Sequence, residues 1–381
     1  MKSILIRGPL LTQSGYGVHS RQIFRWALEN NFDITVQLLP WGMTCWYTDP
    51  QACEGLIGEI MKRSSPPNQK PDLSIQIQLP NEWDPNLANK NIGVSAVVET
   101  TVCNPNWIQN CYAMDHVIVP SEFAKQVLIS SGHTGQNLSV VGEAFYDGCS
   151  KKSEEFDLSM VNTKNNFLLV GQITGNQTGD RKNIANTITW FLDHYHNRKD
   201  VGLIIKTNLG SNSSIDRTKT QNSMKEIVST LRRGSFPRIY LIHGRLSESE
   251  ITALYKHKRI KALISATRGE GFGLPLLEAS ASGLSVVATN WSGHLDFLKL
   301  SDNFYPIEYD LRGVPQEKID NQIFVSGAKW AEPRKNSFLK ACDQVLKNKK
   351  RNSKNRKVAD NFSMKAVAEQ YDQVLGEYLN D

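Results

Sequence analysis

The chain reads as an α/β protein of two doubly wound domains, and three features of its 381 residues predict it. Short apolar runs alternate with stretches whose apolar residues recur at helical spacing. A glycine turn joins the first apolar run to the first helical stretch, as in a βαβ unit. The whole series then runs a second time after a polar segment, Asp147 to Lys164. A length prior of about 150 residues per domain agrees with two domains. Hydrophobic content of 40% and charged content of 22% are ordinary globular values, which excludes wholesale disorder.

In the first half, Ser3-Ile-Leu-Ile-Arg7 is a buried strand stopped by Gly8-Pro9. Ser14-Gly15-Tyr16-Gly17 forms the turn, and Val18 to Asn30 carries Ile23, Phe24, Ala27 and Leu28 on one helical face. Strands follow at 33–39, 73–79, 92–98, 116–119 and 138–141. Ser121 with Glu122 behind it marks a helix start. The polar segment 147–164 reads as a linker.

The second half gives strands at 166–170, 201–205, 238–242, 262–265 and 285–288. Helices are expected at 184–196, 248–257 and 275–282. The expected domains are 1–155 and 156–360, facing a cleft. Ligands of such sheets bind beyond the carboxyl ends of the strands.

Charge and cysteines narrow the class. Lys plus Arg exceed Asp plus Glu by 44 to 38, a net +6, which suits a polyanionic ligand and equally a solvated basic face. Six scattered cysteines without a Cys-x-x-Cys pair read as reduced thiols, mostly buried. The opening Met-Lys-Ser-Ile-Leu-Ile-Arg does not read as a secretory signal, and no apolar run approaches about 18 residues. The expectation is a cytoplasmic protein, with the basic run Lys347–Lys357 as a candidate peripheral contact with an anionic membrane face or nucleic acid.

The chemistry concentrates in Ser265-Ala-Thr-Arg-Gly-Glu270-Gly-Phe-Gly-Leu-Pro-Leu-Leu-Glu278. A strand ends at Ser265, a glycine loop follows, and a helix starts near Leu274 with Pro275 in its first turn. The backbone N–H groups around Phe272, Gly273 and Leu274, with the positive helix end, form an anion site. Gly271 and Gly273 allow close approach of a ligand to the backbone. Two carboxylates beside an anion site fit a ligand that also offers hydroxyls, since a carboxylate accepts two hydrogen bonds from a diol. A diphosphate with a sugar on each side has all three features, which describes a nucleotide sugar. No Asp-x-Asp and no cluster of metal-ligand spacing occurs, so no metal and no other cofactor is expected.

At these residues the chain resembles the retaining glycosyltransferases of family 4, which have the GT-B fold. Glu270 and Glu278, with seven residues between them in a Gly-Phe-Gly-Leu-Pro setting, resemble that family's signature. Ser14-Gly15-Tyr16-Gly17, Val98-Glu99-Thr100-Thr101, Pro105-Asn-Trp107, Val119-Pro-Ser121, Gly327-Ala-Lys-Trp330-Ala-Glu-Pro333 and Asn361-Phe-Ser-Met extend the resemblance over nearly the whole chain. The resemblance implies that Glu270 meets the donor sugar and Glu278 the ribose diol. It places the amides of Gly271, Phe272, Gly273 and Leu274 against the diphosphate and sugar, and the backbone near Leu246 against the base. Lys182 matches the family's lysine, whereas Gln172 stands where an arginine is usual; Arg181 and Lys206 are the candidates to supply that charge. A C-terminal helix from residue 361 onward, packing back on the first domain, is likewise implied by the resemblance.

Gly15 and Gly17 are expected to let donor diphosphate and acceptor close on the backbone. Tyr16, His19 and Glu99 are candidate acceptor-side residues, although a histidine on a first helical turn reads first as a surface or capping residue. The aromatic loop Trp41 to Tyr47 reads as packing, with sugar stacking as the alternative. The function implied is metal-independent transfer, with retention, from a nucleotide sugar to a glycan, lipid or other hydroxyl acceptor. Two alternatives stand beside it: the same fold acting on a nucleic-acid acceptor, and an NAD-dependent dehydrogenase, for which Gly15-x-Gly17 is an incomplete fingerprint.

Overall fold

A computed structural model describes residues 2–42, 44–172, 179–208, 213–348 and 355–380. The chain divides into two compact units. Unit 1 holds Met1–Ala144, Ile319–Ala328 and Asn361–Asp381; unit 2 holds Phe145–Lys318 and Lys329–Asp360.

Unit 1 alternates strands and helices: β1 (Ser3–Gly8), α1 (Gly15–Glu29), β2 (Asp33–Leu38), α2 (Leu56–Lys62), β3 (Leu73–Ile77), β4 (Lys90–Val94), α3 (Pro105–Ala113), β5 (His116–Val119), α4 (Glu122–Ser130) and β6 (Leu138–Val140). Its sheet is parallel throughout, in the order β2-β1-β3-β4-β5-β6. Ser14 caps α1 by accepting from Gly17 N, and Ser121 caps α4 by accepting from Ala124 N. The apolar run 92–98 yields only the short β4. Ser95 N bonds to Ile118 O, and Val97 takes a positive φ of 57°, which breaks the ladder.

Unit 2 runs β7 (Asn165–Val170), α5 (Ile184–His194), β8 (Val201–Thr207), α6 (Ser214–Leu231), β9 (Arg238–His243), α7 (Glu248–Lys256), β10 (Ile260–Ser265), α8 (Leu274–Ala281), β11 (Ser285–Thr289), α9 (Leu295–Leu298) and β12 (Phe304–Ile307). An antiparallel pair, β13 (Tyr309–Gly313) and β14 (Lys329–Pro333), then α10 (Lys335–Lys347) and α11 (Arg356–Phe362), follow. The last helix, α12 (Met364–Asn380), lies in unit 1, where Val367, Tyr371 and Leu375 enter the core with Phe24, Trp26 and Ile6. The parallel sheet of unit 2 has the order β12-β11-β10-β7-β8-β9, the Rossmann arrangement, with its reversal between β10 and β7.

The polar stretch 147–164 is not a free linker. Cys149, Leu158 and Val161 are buried, and Arg259 donates to the carbonyls of Leu158 and Val161. Helix α6 escaped the sequence reading because it buries little more than Thr220 and Met224 and so lacks an apolar stripe. No disulfide is found among the described residues, and four of the cysteines, Cys103, Cys111, Cys149 and Cys342, are buried. No helix of the described residues is long and apolar enough to cross a membrane. The run Lys347–Lys357 lies mostly outside the described residues, from 349 to 354.

Candidate active site

The reversal between β7 and β10 brings together segments that follow their carboxyl ends, residues 179–183 after β7 and 266–273 after β10. Both loops are needed to build the cluster. Lys182 Nζ lies 2.6 Å from each carboxylate oxygen of Glu270, and Arg181 Nη1 lies 3.4 Å from Oε2. Arg181 also donates to the Gly269 carbonyl. Glu270 is only 7% exposed. Burial alone would raise its pKa, but the charges of Lys182 and Arg181 prevail and hold the carboxyl down at about 2. It is therefore an anion at any physiological pH.

The loop after β11 fixes the Glu270 backbone from beneath. Glu270 N donates to Ser292 Oγ at 2.9 Å, and Gly293 N donates to Glu270 O at 2.9 Å. Buried His294 bonds Thr289 O through Nε2 at 2.6 Å, and burial lowers its pKa, so the ring is neutral. Gly273 adopts φ 104°, and a Cβ there would come within 3.2 Å of His294 Cβ. Glycine is thus favoured by conformation, and a side chain there would also press on His294. Phe272 anchors the loop by packing on Phe297, with ring centroids 5.3 Å apart.

Gly273 offers α8 no side-chain cap, Pro275 sits in the first turn, and Glu278 follows one turn on. Burial first, then the charge of Glu248, push the half-buried Glu278 carboxyl up to about 8; Tyr255 Oη donates to it at 3.4 Å. Lys206, at the end of β8, is buried and donates to Asn208 Oδ1 at 2.7 Å. Leu246 lies half-buried in the turn between β9 and α7, after Gly244 with φ 106°. Gln172 is exposed just past β7; residues 173–178 lie outside the described set.

Three side chains that the sequence reading did not single out, Arg268, Asp180 and Glu332, brace this cluster. Buried Arg268 makes a bidentate pair with Glu332 at 2.7 and 3.0 Å, donates to Asp180 O, and stacks over Trp330. Asp180 accepts from Lys182 N at 3.0 Å and Ile184 N at 2.7 Å, which caps α5. Arg268 N also bonds Arg181 O at 2.8 Å. This clamp sets where Arg181 and Lys182 stand relative to Glu270.

The unit 1 candidates form a separate group. Gly15 has open space at its Cβ position, whereas a Cβ on Gly17 would strike Thr12 and approach Pro9 O within 3.0 Å. Gly17 therefore serves the packing of its own loop. Tyr16 Oη lies 3.1 Å from Ser95 Oγ and accepts from Ala96 N at 2.9 Å, while its ring stacks on Trp41 at 3.9 Å. His19 is neither a surface nor a capping residue: it is buried, with Nε2 2.8 Å from Tyr371 Oη on α12. Glu99 lies in a bend five residues beyond the end of β4, half-buried, rather than at a strand terminus.

Comparison with known proteins places this geometry. Residues 240–308 match the family described as "Glycosyl transferases group 1". The whole chain is similar in fold to a glycosyltransferase from Rickettsia africae (15% identity, TM-score 0.66, 100% of this chain and 99% of that one). It is similar also to the pneumococcal O-GlcNAc transferase GtfA in complex with UDP and GlcNAc (12%, 0.60, 100% and 99%). Anabaena HepE in complex with UDP-glucose is a third (12%, 0.62, 99% and 100%). No curated protein matches the chain by sequence. The fold is that of the GT-B glycosyltransferases, with two parallel six-stranded sheets. Fold and matched segment together define an enzyme of the glycosyltransferase class, in place of the dehydrogenase alternative.

Proposed function

We propose that this protein transfers a sugar, with retention of configuration and without a metal, from a nucleoside diphosphate sugar to a hydroxyl of a glycan or lipid acceptor. The observation that carries the reading is Glu270 held as an anion by Lys182 and Arg181 just ahead of α8. Glu270 accepts hydrogen bonds from donor-sugar hydroxyls and fixes the ring. Lys182, Arg181 and the α8 N-terminus stabilise the diphosphate as the glycosidic bond breaks. The departing phosphate oxygen takes the acceptor proton on the same face, so no protein nucleophile is required. Glu278 and the backbone near Leu246 hold the ribose and base. UDP accompanies several of the similar folds and is the first donor base to test.

The test is a panel of UDP-, GDP- and ADP-sugars with EDTA present, products read by mass spectrometry and anomeric configuration by NMR. One donor class should turn over, giving a product with the donor's own anomeric configuration. Glu270→Ala should lower turnover by about 10²-fold or more with nucleotide affinity little changed, the mark of a group that acts on the transition state. Near-normal turnover of Glu270→Ala, or an inverted product, overturns the reading.

A further inference from the structure

The cations at this edge of the unit 2 sheet differ in one respect. Lys182 and Arg181 face Glu270, and Arg268 faces Glu332. Lys206 has no carboxylate within ion-pair distance among the described residues. It is 7% exposed, and its ammonium, with three hydrogens to donate, has one described acceptor, the neutral Asn208 Oδ1. Burying a cation without an anion is unfavourable, and a fold does not keep such a group for its own stability. A second unsatisfied group lies close by: among the described residues, His243 Nε2 is buried without a hydrogen-bond partner. Burial, followed by the positive charge of Lys206, lowers the pKa of His243.

The register states where this cation stands. Lys206 pairs with Val170 of β7 on one side and Ile242 of β9 on the other, and Gly171 N bonds to Lys206 O at 3.1 Å. Lys206 therefore ends its strand beside the first residues of the loop that carries Arg181 and Lys182, where Gln172 brings no charge. We infer that Lys206 is a further diphosphate-binding cation of the donor site, beside Lys182 and Arg181, left without a carboxylate partner among the described residues because its counter-ion is the ligand's phosphate oxygens. This rests on the nucleotide-sugar reading for the identity of the ligand, and on the buried unpaired ammonium for the site. Burial alone pushes the Lys206 ammonium down to about 8, as is expected of a cation that lacks its anion.

Calorimetric titration of wild type, Lys206→Met and Lys206→Arg tests it, with pyrophosphate, UDP, GDP, ADP and the parent nucleosides as probes. Lys206→Met should lower affinity for pyrophosphate and for the preferred nucleoside diphosphate at least 10-fold and leave nucleoside affinity unchanged. Lys206→Arg should recover part of the loss. The ligand-free melting temperature of Lys206→Met should equal or exceed that of wild type, because removing an unpaired buried charge relieves the fold. A structural lysine would give the opposite: a lower melting temperature and unchanged diphosphate affinity, and that result overturns the inference. Pyrophosphate binding that depends on Lys206, with no nucleotide binding, would keep the anion site and overturn the nucleotide-sugar reading. Wild type binding none of the probes would overturn both.

Discussion

At the scale of single residues, Glu270 in the loop and Glu278 in the helix that follows it occupy opposite electrostatic environments. Glu270 has two cations against it and stays ionised; Glu278 has burial, Glu248 and a weak Tyr255 bond, and is neutral for much of the physiological range. The Glu278 pKa is raised from 4.5 to about 8 on folding. Its favourable contribution is complete below the unfolded value and is lost as pH rises through about 8. Glutamine mimics the neutral form and does not titrate. Glu278→Gln should therefore melt several degrees above wild type near pH 9 and within about one degree of it near pH 4.5, by scanning calorimetry at both pH values. An equal offset at the two pH values would show that Glu278 does not titrate as its surroundings dictate. Spacing made these two carboxylates legible in the sequence, and the family resemblance pointed to Lys182. Their opposite states were not legible, because Glu248 and Tyr255 reach Glu278 only through the packing of α7 on α8.

At the scale of elements, the site is the meeting of two loops that a clamp holds in register. Arg268 stands two residues before Glu270 in the sequence, yet its partners lie 88 and 64 residues away, at Asp180 and Glu332. No local pattern links them, which is why the motif was legible and its support was not. Strands β7, β8, β10 and β11 announce themselves as apolar runs, whereas α6 has too polar a surface to betray its period. Arg268 is buried while Glu332 keeps about a third of its side chain exposed, so removing Arg268 costs less than breaking a fully buried pair and acts through the lost bonds to Glu332 and Asp180 and the lost packing on Trp330. Arg268→Met should therefore lower the melting temperature by several degrees. It should also reduce kcat at least 10-fold through the freed Arg181–Lys182 segment, with a smaller change in KM. Removing both partners, in Arg268→Met with Glu332→Leu, should recover stability while kcat stays low. Recovery of both together would show that the clamp only stabilises and does not position.

At the scale of the whole molecule, each unit keeps a neutral histidine at its centre: His19 in unit 1 and His294 in unit 2. The reason in unit 1 is α12, which brings Tyr371 Oη to the ring of His19 and Asp372 to Trp26 Nε1 at 2.7 Å. This helix closes the core of a domain whose sheet ended more than 200 residues earlier, at β6. A histidine near the start of α1 therefore reads as exposed from local sequence and is buried by a segment from the far end of the chain. Burial lowers the His19 pKa from 6.5 to about 4, with no charge of a described carboxylate to offset it. With the folded pKa below the unfolded one, the stabilising contribution is intact above pH 6.5 and is lost as pH falls toward about 4. Many carboxylates also titrate at the lower end of that window, so wild type alone does not isolate the histidine. His19→Gln keeps a side-chain amide able to hydrogen-bond Tyr371 and removes the titration. Its melting temperature should fall less than that of wild type between about pH 7 and pH 4.5, with the two curves drawing together as acid is added. Parallel curves across that interval would mean that the His19 ring is not held neutral by the core that α12 completes.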